Sequence, residues 1–130
     1  MNELNDKNAQ EQQAIDALTK KFTKEISAGT SALVLLSILK NADKPLYGYQ
    51  IGSLLNTDKQ GAIYPVLRNM EAKGLLNSQV KMSPTGPPRK YFTISKLGKA
   101  VLAQWVQIWE QTQQLVNQAI SGKTNGDNDV

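Results

Sequence analysis

Residues 61–94 read GAIYPVLRNMEAKGLLNSQVKMSPTGPPRKYFTI and change character halfway. Up to Gly74 the apolar residues recur every three or four positions, the period of one helix face, and glycine is typical just past a helix end. After Gly74 come two short β-like runs, residues 75–82 and 89–94, separated by a loop rich in proline and glycine. This pattern predicts a helix followed by a β-hairpin.

The predicted helix before Gly74 begins at Lys59 or Gln60 and contains a proline. Proline lacks a backbone N–H and costs about 3 kcal/mol in a helix interior, so the regular helix either starts close before Pro65 or bends there. The apolar positions that we expect to face the core are Ile63, Val66, Leu67 and Met70.

Two more helices are predicted upstream of this one. Gly29 and Thr30 are expected to interrupt the helical pattern. The run SALVLLSIL, residues 31–39, is apolar nearly all round, as in a buried helix, and Thr30 is its expected N-cap. A shorter helix is expected from Tyr47 to a turn at residues 56–58. Three helices followed by a hairpin are the order of a winged helix-turn-helix, here residues 29–94, whose third helix is free to enter a DNA major groove.

One further helix is predicted on each side of residues 29–94. Residues 10–28 have apolar side chains at steps of three or four and predict an amphipathic helix, and residues 95–121 predict a longer one. The polar ends, residues 1–9 and 122–130, predict disordered tails. The expected fold class is therefore mainly α with a β-hairpin (α+β), a winged helix-turn-helix with an N-terminal helix and a long C-terminal dimerisation helix.

The composition excludes several classes of chemistry. The chain has neither cysteine nor histidine, so thiolate and imidazole ligands, thiol nucleophiles and catalytic pairs with histidine are missing. Its central carboxylates, Asp43, Asp58 and Glu71, show no paired arrangement and are expected at caps and on solvent-exposed faces. We therefore expect neither an enzyme nor a metal or cofactor site.

Charge is distributed unevenly along the chain. Residues 29–100 hold ten Lys or Arg and three acidic residues, a net charge of +7, whereas residues 1–28 carry −1 and residues 101–130 carry −2. A basic central segment favours a polyanion partner, because neutralised phosphates supply most non-specific affinity for nucleic acid. No run approaches the roughly 20 apolar residues of a membrane span, and the polar start is unlike a signal peptide. We expect a cytoplasmic protein without a membrane partner.

Four runs within residues 29–102 resemble the PadR-like transcriptional regulators, in the family's order and at its spacing. They are GTSALVLLSIL at 29–39, PLYGYQI at 45–51, GAIYPVLRNMEAKGLL at 61–76 and GPPRKYFTISKLGKAVL at 86–102. The resemblance implies a homodimeric repressor with winged-helix heads, and the short C-terminal region is similar to the small subgroup with a single dimerisation helix. One departure is the pair Ala62 and Ile63, which stands where the family usually shows a bulkier Thr-Leu pair, and the side chain of Ala62 offers no hydrogen bond.

Candidate DNA contacts lie on the third helix of the winged domain and on the hairpin. Amide and guanidinium side chains of the helix can pair with base edges, and Tyr64 resembles the family tyrosine that reaches the DNA backbone; core packing of Tyr64 is the alternative. Basic residues of the hairpin can contact phosphates, or form only a solvated surface, while Tyr91 and Phe92 or Ile94 are expected to point toward the domain. The predicted contacts are Lys59, Gln60, Tyr64 and Arg68 on the helix and Lys81, Thr85, Arg89 and Lys90 on the hairpin, with Asn69 and Ser83 beside them.

The long helix at residues 95–121 has Ser95 as its expected N-cap, Gly122 as its stop, and two neighbouring apolar stripes. One stripe can pack on the winged domain and the other on the same helix of a second chain, which predicts a two-fold dimer on a palindromic double-stranded operator. The resemblance further implies a planar hydrophobic effector between the subunits, with Trp105 and Trp109 as stacking faces. Packing of both tryptophans in the dimer core is the alternative.

The sequence therefore predicts a homodimeric DNA-binding repressor that is relieved by a planar effector. The alternative is a winged-helix protein-interaction or dimerisation module without DNA binding.

Overall fold

A computed structural model describes residues 2–55 and 60–123 of the chain. The chain forms two units, residues 1–32 and 33–130, and the first helix contributes to both. The elements in chain order are α1 (Asn2–Asn41), β1 (Leu46–Tyr47), α2 (Gly48–Leu54), a 3-10 turn (Gln60–Ala62), α3 (Ile63–Ala72), β2 (Leu76–Lys81), β3 (Arg89–Ile94) and α4 (Lys96–Ser121).

The first unit is helical from Asn2 onward, which corrects two expectations. Residues 2–9, expected as a tail, belong to α1, and the expected break at Gly29 and Thr30 is absent. The Thr30 hydroxyl donates a hydrogen bond to the carbonyl of Ile26 at 2.8 Å inside the helix, so it does not cap a new one. Glycine costs only about 1 kcal/mol relative to alanine in a helix, and the helical runs on both sides outweigh that cost. This unit exposes the large apolar side chains Leu4, Ile15, Leu18, Phe22 and Ile26.

By length and composition alone, α1 is apolar enough to cross a membrane, contrary to the expectation from the sequence. A core helix of a soluble protein meets the same criterion. The buried residues of α1 are Leu35, Leu36 and Leu39, which lie in the core of residues 33–130. The helix face that carries these three leucines therefore packs inside the winged domain.

The sheet has three strands, one more than the predicted hairpin. Tyr47, expected as the first residue of a helix, instead forms the short strand β1 together with Leu46. β1 pairs antiparallel with β3, with Leu46 opposite Phe92 and Tyr47 opposite Tyr91, and the strand order is β1-β3-β2. α2 follows directly, and the backbone N–H of Tyr47 donates to Oε1 of Gln50 at 3.1 Å in its first turn. The turn predicted at residues 56–58 lies outside the described residues.

α3 starts two residues before Pro65, one of the two predicted alternatives. Proline is tolerated there because the first N–H groups of a helix have no partner within it. Ile63, Leu67 and Met70 are buried as predicted, and Val66 is half-buried.

The end of α3 confirms the predicted stop at Gly74. Gly74 has a φ of +79°, which glycine adopts without strain. Its N–H donates to the carbonyl of Glu71, and the N–H of Leu75 donates to the carbonyl of Met70, both at 2.9 Å. These two bonds form a Schellman motif, which turns the chain from the helix into β2.

The two faces of the sheet are set by the register of β2 and β3, which pair antiparallel from Leu76 opposite Ile94 to Lys81 opposite Arg89. Since successive residues of a strand point to opposite sides, each face has its own set of side chains. The inner face, toward the helices, includes Leu76, Ser78, Lys90 and Phe92; the outer face includes Tyr47, Lys81, Arg89 and Tyr91.

α4 begins and ends as predicted. The N–H of Gly98 donates to Oγ of Ser95 at 2.9 Å, and that hydroxyl donates to the carbonyl of Gly74 at 2.6 Å, so the cap also fastens α4 to the end of α3. Gly122 has a φ of +76° at the C-terminus. Of the tail expected at residues 122–130, residues 124–130 lie outside the described residues.

The core of residues 33–130 combines side chains from the helices and from the inner face of the sheet. Its largest fully buried side chains are Leu35, Leu36, Ile51, Leu67, Phe92 and Leu102.

Candidate nucleic-acid interface

The side of α3 opposite the core carries the residues predicted to contact DNA. Tyr64, Arg68 and Asn69 are all exposed there. A phenol, a guanidinium and an amide on one helix face can donate hydrogen bonds to phosphates and to base edges. The structure thus brings these three side chains to one surface.

Tyr64 is neither a core residue nor a freely projecting one. It is 42% exposed. The hydroxyl end of its ring lies against Gly48, the first residue of α2. Tyr64 therefore combines a packed hydroxyl end with a side chain that stays partly open to solvent, so it matches neither core packing alone nor a fully exposed side chain.

Two predicted contacts, Lys59 and Gln60, precede α3 in the sequence. Lys59 is outside the described residues. Gln60 begins the 3-10 turn that precedes α3, and its side chain is outside the described part of the chain. Both therefore remain predictions.

On the inner face, Lys90 is held by α3. Its Nζ lies 2.7 Å from Oε1 of Glu71, and it is 5.4 Å from the ring centroid of Phe92. Ser78 of β2 donates a hydrogen bond to the other carboxylate oxygen of Glu71. The hydrogen bonds from Lys90 and Ser78 lower the pKa of Glu71 below its ordinary value, against the opposing effect of burial.

Glu71 thus corrects the expectation of a simple solvent-facing carboxylate. It joins α3 to both strands of the hairpin. Lys90 has a partner within the chain, and its predicted DNA contact stays a prediction. The contact joins residues 19 positions apart, so no local pattern in the sequence could reveal it.

On the outer face, the basic residues lie over tyrosine rings. The guanidinium carbon of Arg89 is 4.6 Å from the ring centroid of Tyr47, and Nζ of Lys81 is 5.3 Å from that of Tyr91. The two tyrosine rings meet edge to face, with centroids 5.3 Å apart. The rings of Tyr47 and Tyr49 are stacked, with centroids 6.5 Å apart. Such contacts fix the direction of long cationic side chains that would otherwise sample many rotamers.

This arrangement corrects the expected direction of Tyr91. Phe92 is buried, as one of the two predicted inward positions, but Tyr91 lies on the opposite face and is half-buried under Lys81. The roles of Tyr47 and Tyr49 were missed. In the sequence, only the motif YGY, with two tyrosines around a glycine, could have pointed to them. That motif predicts no contact with the hairpin unless the pairing of β1 with β3 is known.

Lys81 and Arg89 face each other directly across the hairpin, and both are exposed. Like charges in this position repel. Among the described residues, the salt bridges are Lys21–Glu25 and Lys90–Glu71, so neither of these two cations belongs to one. An anion bound between them would relieve the repulsion.

The loop that joins β2 to β3 contains Thr85, which is exposed as its predicted role requires. Ser83 in the same loop has a buried hydroxyl oxygen with no hydrogen-bond partner among the described residues. The loop brings no carboxylate to the wing.

The tryptophans of α4 lie beyond its packed first turns. Leu102 is buried and Trp105 is half-buried, whereas Trp109 is 39% exposed. Large apolar side chains continue along the exposed helix, namely Val106, Ile108, Leu115, Val116 and Ile120. The described part of this helix therefore leaves an extended apolar surface uncovered within one chain.

The short helices α2 and α3, the exposed polar side of α3 and the basic hairpin of β2 and β3 together form the arrangement of winged helix-turn-helix transcriptional regulators. Residues 35–104, more than half of the chain, match the model of the transcriptional regulator PadR-like family. The chain therefore belongs to the PadR-like family, as its four sequence runs predicted.

Solved structures agree with this assignment. A PadR family transcriptional regulator from Eggerthella lenta is 27% identical, with a TM-score of 0.73 over 83% of this chain and 96% of that one. A PadR-like regulator from Bacillus cereus is 29% identical, with a TM-score of 0.65 over 76% and 99%. PadR of Bacillus subtilis, solved in complex with operator DNA, shares the fold at 24% identity, with a TM-score of 0.53 over 58% and 45%. The expected α+β winged-helix fold is confirmed.

Proposed function

We propose that the protein is a homodimeric repressor that binds a palindromic DNA operator in a sequence-specific manner. The observation that carries the proposal is the exposed face of α3, with Tyr64, Arg68 and Asn69, next to a hairpin whose outer face presents Lys81 and Arg89. Membership of a family of transcriptional regulators supports it. So does the operator complex formed by Bacillus subtilis PadR, a protein of the same fold.

In this proposal α3 reads the sequence. Arg68 pairs with guanine or with a phosphate, Gln60 and Asn69 pair with adenine edges, and Tyr64 contacts the DNA backbone. Lys59, which directly precedes Gln60 in the sequence, supports them by contacting the DNA. Replacement of Gln60, Arg68 or Asn69 should reduce discrimination between DNA sequences, because base contacts specify the sequence while backbone contacts, such as that of Tyr64, only position the protein.

The hairpin supplies affinity without discrimination. Lys81 and Arg89 hold phosphates from the outer face, and Thr85 donates from the loop. Lys90 makes a smaller contribution, because its ammonium already has Glu71 as a partner.

The dimer uses the apolar surface of α4. An exposed stripe that includes Ile108 and Leu115 is costly in water and is covered by the same helix of a second chain. Two-fold symmetry then presents two α3 helices to the two halves of a palindrome.

The same interface holds a planar hydrophobic effector. Trp105 and Trp109 lie four residues apart on α4, so their rings fall on one side of the helix. An effector that binds the DNA-free arrangement of the heads more tightly would release the operator. Titration of tryptophan fluorescence with a panel of planar compounds tests this; quenching supports the effector site, and no quenching by any compound removes it.

Selection of duplexes from a random pool by the purified protein tests the main proposal. Enrichment of a palindrome would support dimeric readout of an operator. Absence of any enrichment, together with binding that does not respond to salt, would favour an interaction module without DNA binding. Action in the cytoplasm, with no membrane partner, is part of the same proposal.

A further inference from the structure

Gly48, the first residue of α2, has a backbone conformation that any residue could adopt. It is buried and helical, and the glycines with positive φ among the described residues are Gly74 and Gly122. Glycine is a poorer helix former than alanine, so a helix of seven residues gains nothing from it in local stability. The reason for glycine at this position must be the space around it.

That space is occupied by the phenol of Tyr64. A Cβ added at Gly48 would overlap the hydroxyl oxygen of Tyr64 and would lie 2.5 Å from Cζ and 2.8 Å from Cε1 of its ring. Contacts this short are sterically forbidden. The hydroxyl end of the tyrosine therefore rests directly on the backbone of α2.

We propose that Gly48 is a positioning residue for DNA recognition: it provides the seat that fixes the direction of the Tyr64 phenol on α3. The inference rests on the proposed DNA-binding function, in which Tyr64 contacts the DNA backbone. A side chain that is 42% exposed would otherwise sample several rotamers, and a seat limits the entropy lost when it binds.

The seat differs from ordinary core packing, as a second glycine shows. A Cβ at Gly98 would overlap the carbonyl oxygen of Leu75 and lie 2.8 Å from Cγ1 of Ile94, so part of the obstacle there is backbone. At Gly48 every close atom belongs to the far end of one side chain, which can rotate outward. An added methyl group at Gly48 should therefore move Tyr64 and leave the fold in place.

A double-mutant cycle with Gly48→Ala and Tyr64→Ala tests this step. The probe is a duplex that the wild-type protein enriches from a random pool. Gly48→Ala should lower affinity for it about tenfold, the loss expected for one good contact, and should add nothing in the Tyr64→Ala background. The melting temperature of Gly48→Ala should stay near that of the wild type.

Gly29→Ala is the matched control, because a Cβ there meets nothing within 4 Å and Gly29 lies in α1, outside the residues proposed to contact DNA. It should leave DNA affinity unchanged and should not lower the melting temperature. Tyr64→Phe removes the hydroxyl that overlaps most, so Gly48→Ala should cost less affinity in that background.

An NMR signature reports the seat without DNA. The Hα resonances of Gly48 should be shifted by the ring current of Tyr64 in the wild type, and Tyr64→Ala should abolish the shift. A Gly48→Ala variant that binds the duplex like the wild type, or effects of Gly48→Ala and Tyr64→Ala that simply add, would overturn the proposal.

A Gly48 resonance unaffected by Tyr64→Ala would also overturn it, even if Gly48→Ala fails to fold. If the proposed DNA-binding function is wrong, the result is different, because the wild type then enriches no duplex. Gly48 then has no role in recognition. The NMR shift still shows whether Tyr64 packs on Gly48.

Discussion

The two faces of the hairpin carry similar basic residues with different partners. On the inner face, Lys90 forms a salt bridge with Glu71 of α3 at 2.7 Å. On the outer face, its sequence neighbour Arg89 lies over the ring of Tyr47 and opposite Lys81. Because a strand alternates its side chains, one step along the chain separates a lysine that fastens the wing to the recognition helix from an arginine held toward solvent. Residue type alone therefore does not assign a cation to DNA binding.

Removal of the outer pair should have the largest effect. We expect the double variant Lys81→Ala with Arg89→Ala to weaken binding to operator and random duplex about equally. The slope of log affinity against log salt should become shallower by about 2, because two phosphate contacts are lost. Fluorescence anisotropy at several salt concentrations measures both quantities. The exposed pair Lys20→Ala with Lys24→Ala removes the same charge elsewhere and should leave the salt dependence nearly unchanged. Equal effects of the two double variants would contradict a specific role for the outer face.

The inner face should affect stability more than DNA binding. Glu71→Gln removes the charge from the link between α3 and the hairpin, and we expect a loss of about 1 kcal/mol in the free energy of unfolding at pH 7. Chemical denaturation measures it. Lys90→Met should show a loss of similar size, because it removes the other partner. A neutral result for both variants would show that the wing does not depend on this salt bridge.

The same carboxylate predicts a pH dependence. Since the pKa of Glu71 is lowered in the fold, its stabilisation is complete above the unfolded value and is lost as the pH falls through the folded value. We therefore expect the difference in unfolding free energy between the wild type and Glu71→Gln to disappear in acid. Denaturation curves between neutral and acidic pH give this difference directly, and a difference that grows toward low pH would refute the assignment.

Tyr47 should give the smallest effect. Tyr47→Leu removes the aromatic face under Arg89, and a cation–π contact at an exposed site is worth about 0.5 to 1 kcal/mol. DNA affinity should fall by a few-fold at most, with the salt dependence unchanged because the charge remains. Tyr49→Leu is the matched control, since Tyr49 stacks on Tyr47 and has no cation over it among the described contacts. Identical losses in both variants would indicate general loosening of the sheet.

The predictable parts of the fold were those set by local chemistry. Ser95, Gly74 and Gly122 mark helix ends through caps and backbone conformations that involve only near neighbours. The hairpin and the inward face of α3 also follow from periodicity. The break expected at Gly29 was wrong because the modest cost of one glycine is outweighed in a helix of 40 residues.

The parts that escaped prediction depend on long-range contacts. β1 has two residues and exists only through its pairing with β3. The direction of Tyr91 depends on which residue of the YF pair in β3 faces the core, and both are apolar enough to do so. Glu71 and Gly48 acquire their roles from partners in other elements, Lys90 and Tyr64. Candidate residues on the exposed side of α3 could be named from sequence, but not the contacts that orient them.

Binding of the wild-type protein to a selected duplex and to a random duplex, each measured across salt concentrations, tests the central claim most directly. We expect log affinity to fall linearly with log salt for both duplexes, with the selected duplex bound at least about a thousandfold more tightly at physiological salt. Equal affinity for the two duplexes would contradict sequence-specific recognition by α3. Absence of a salt response would contradict phosphate binding by the hairpin.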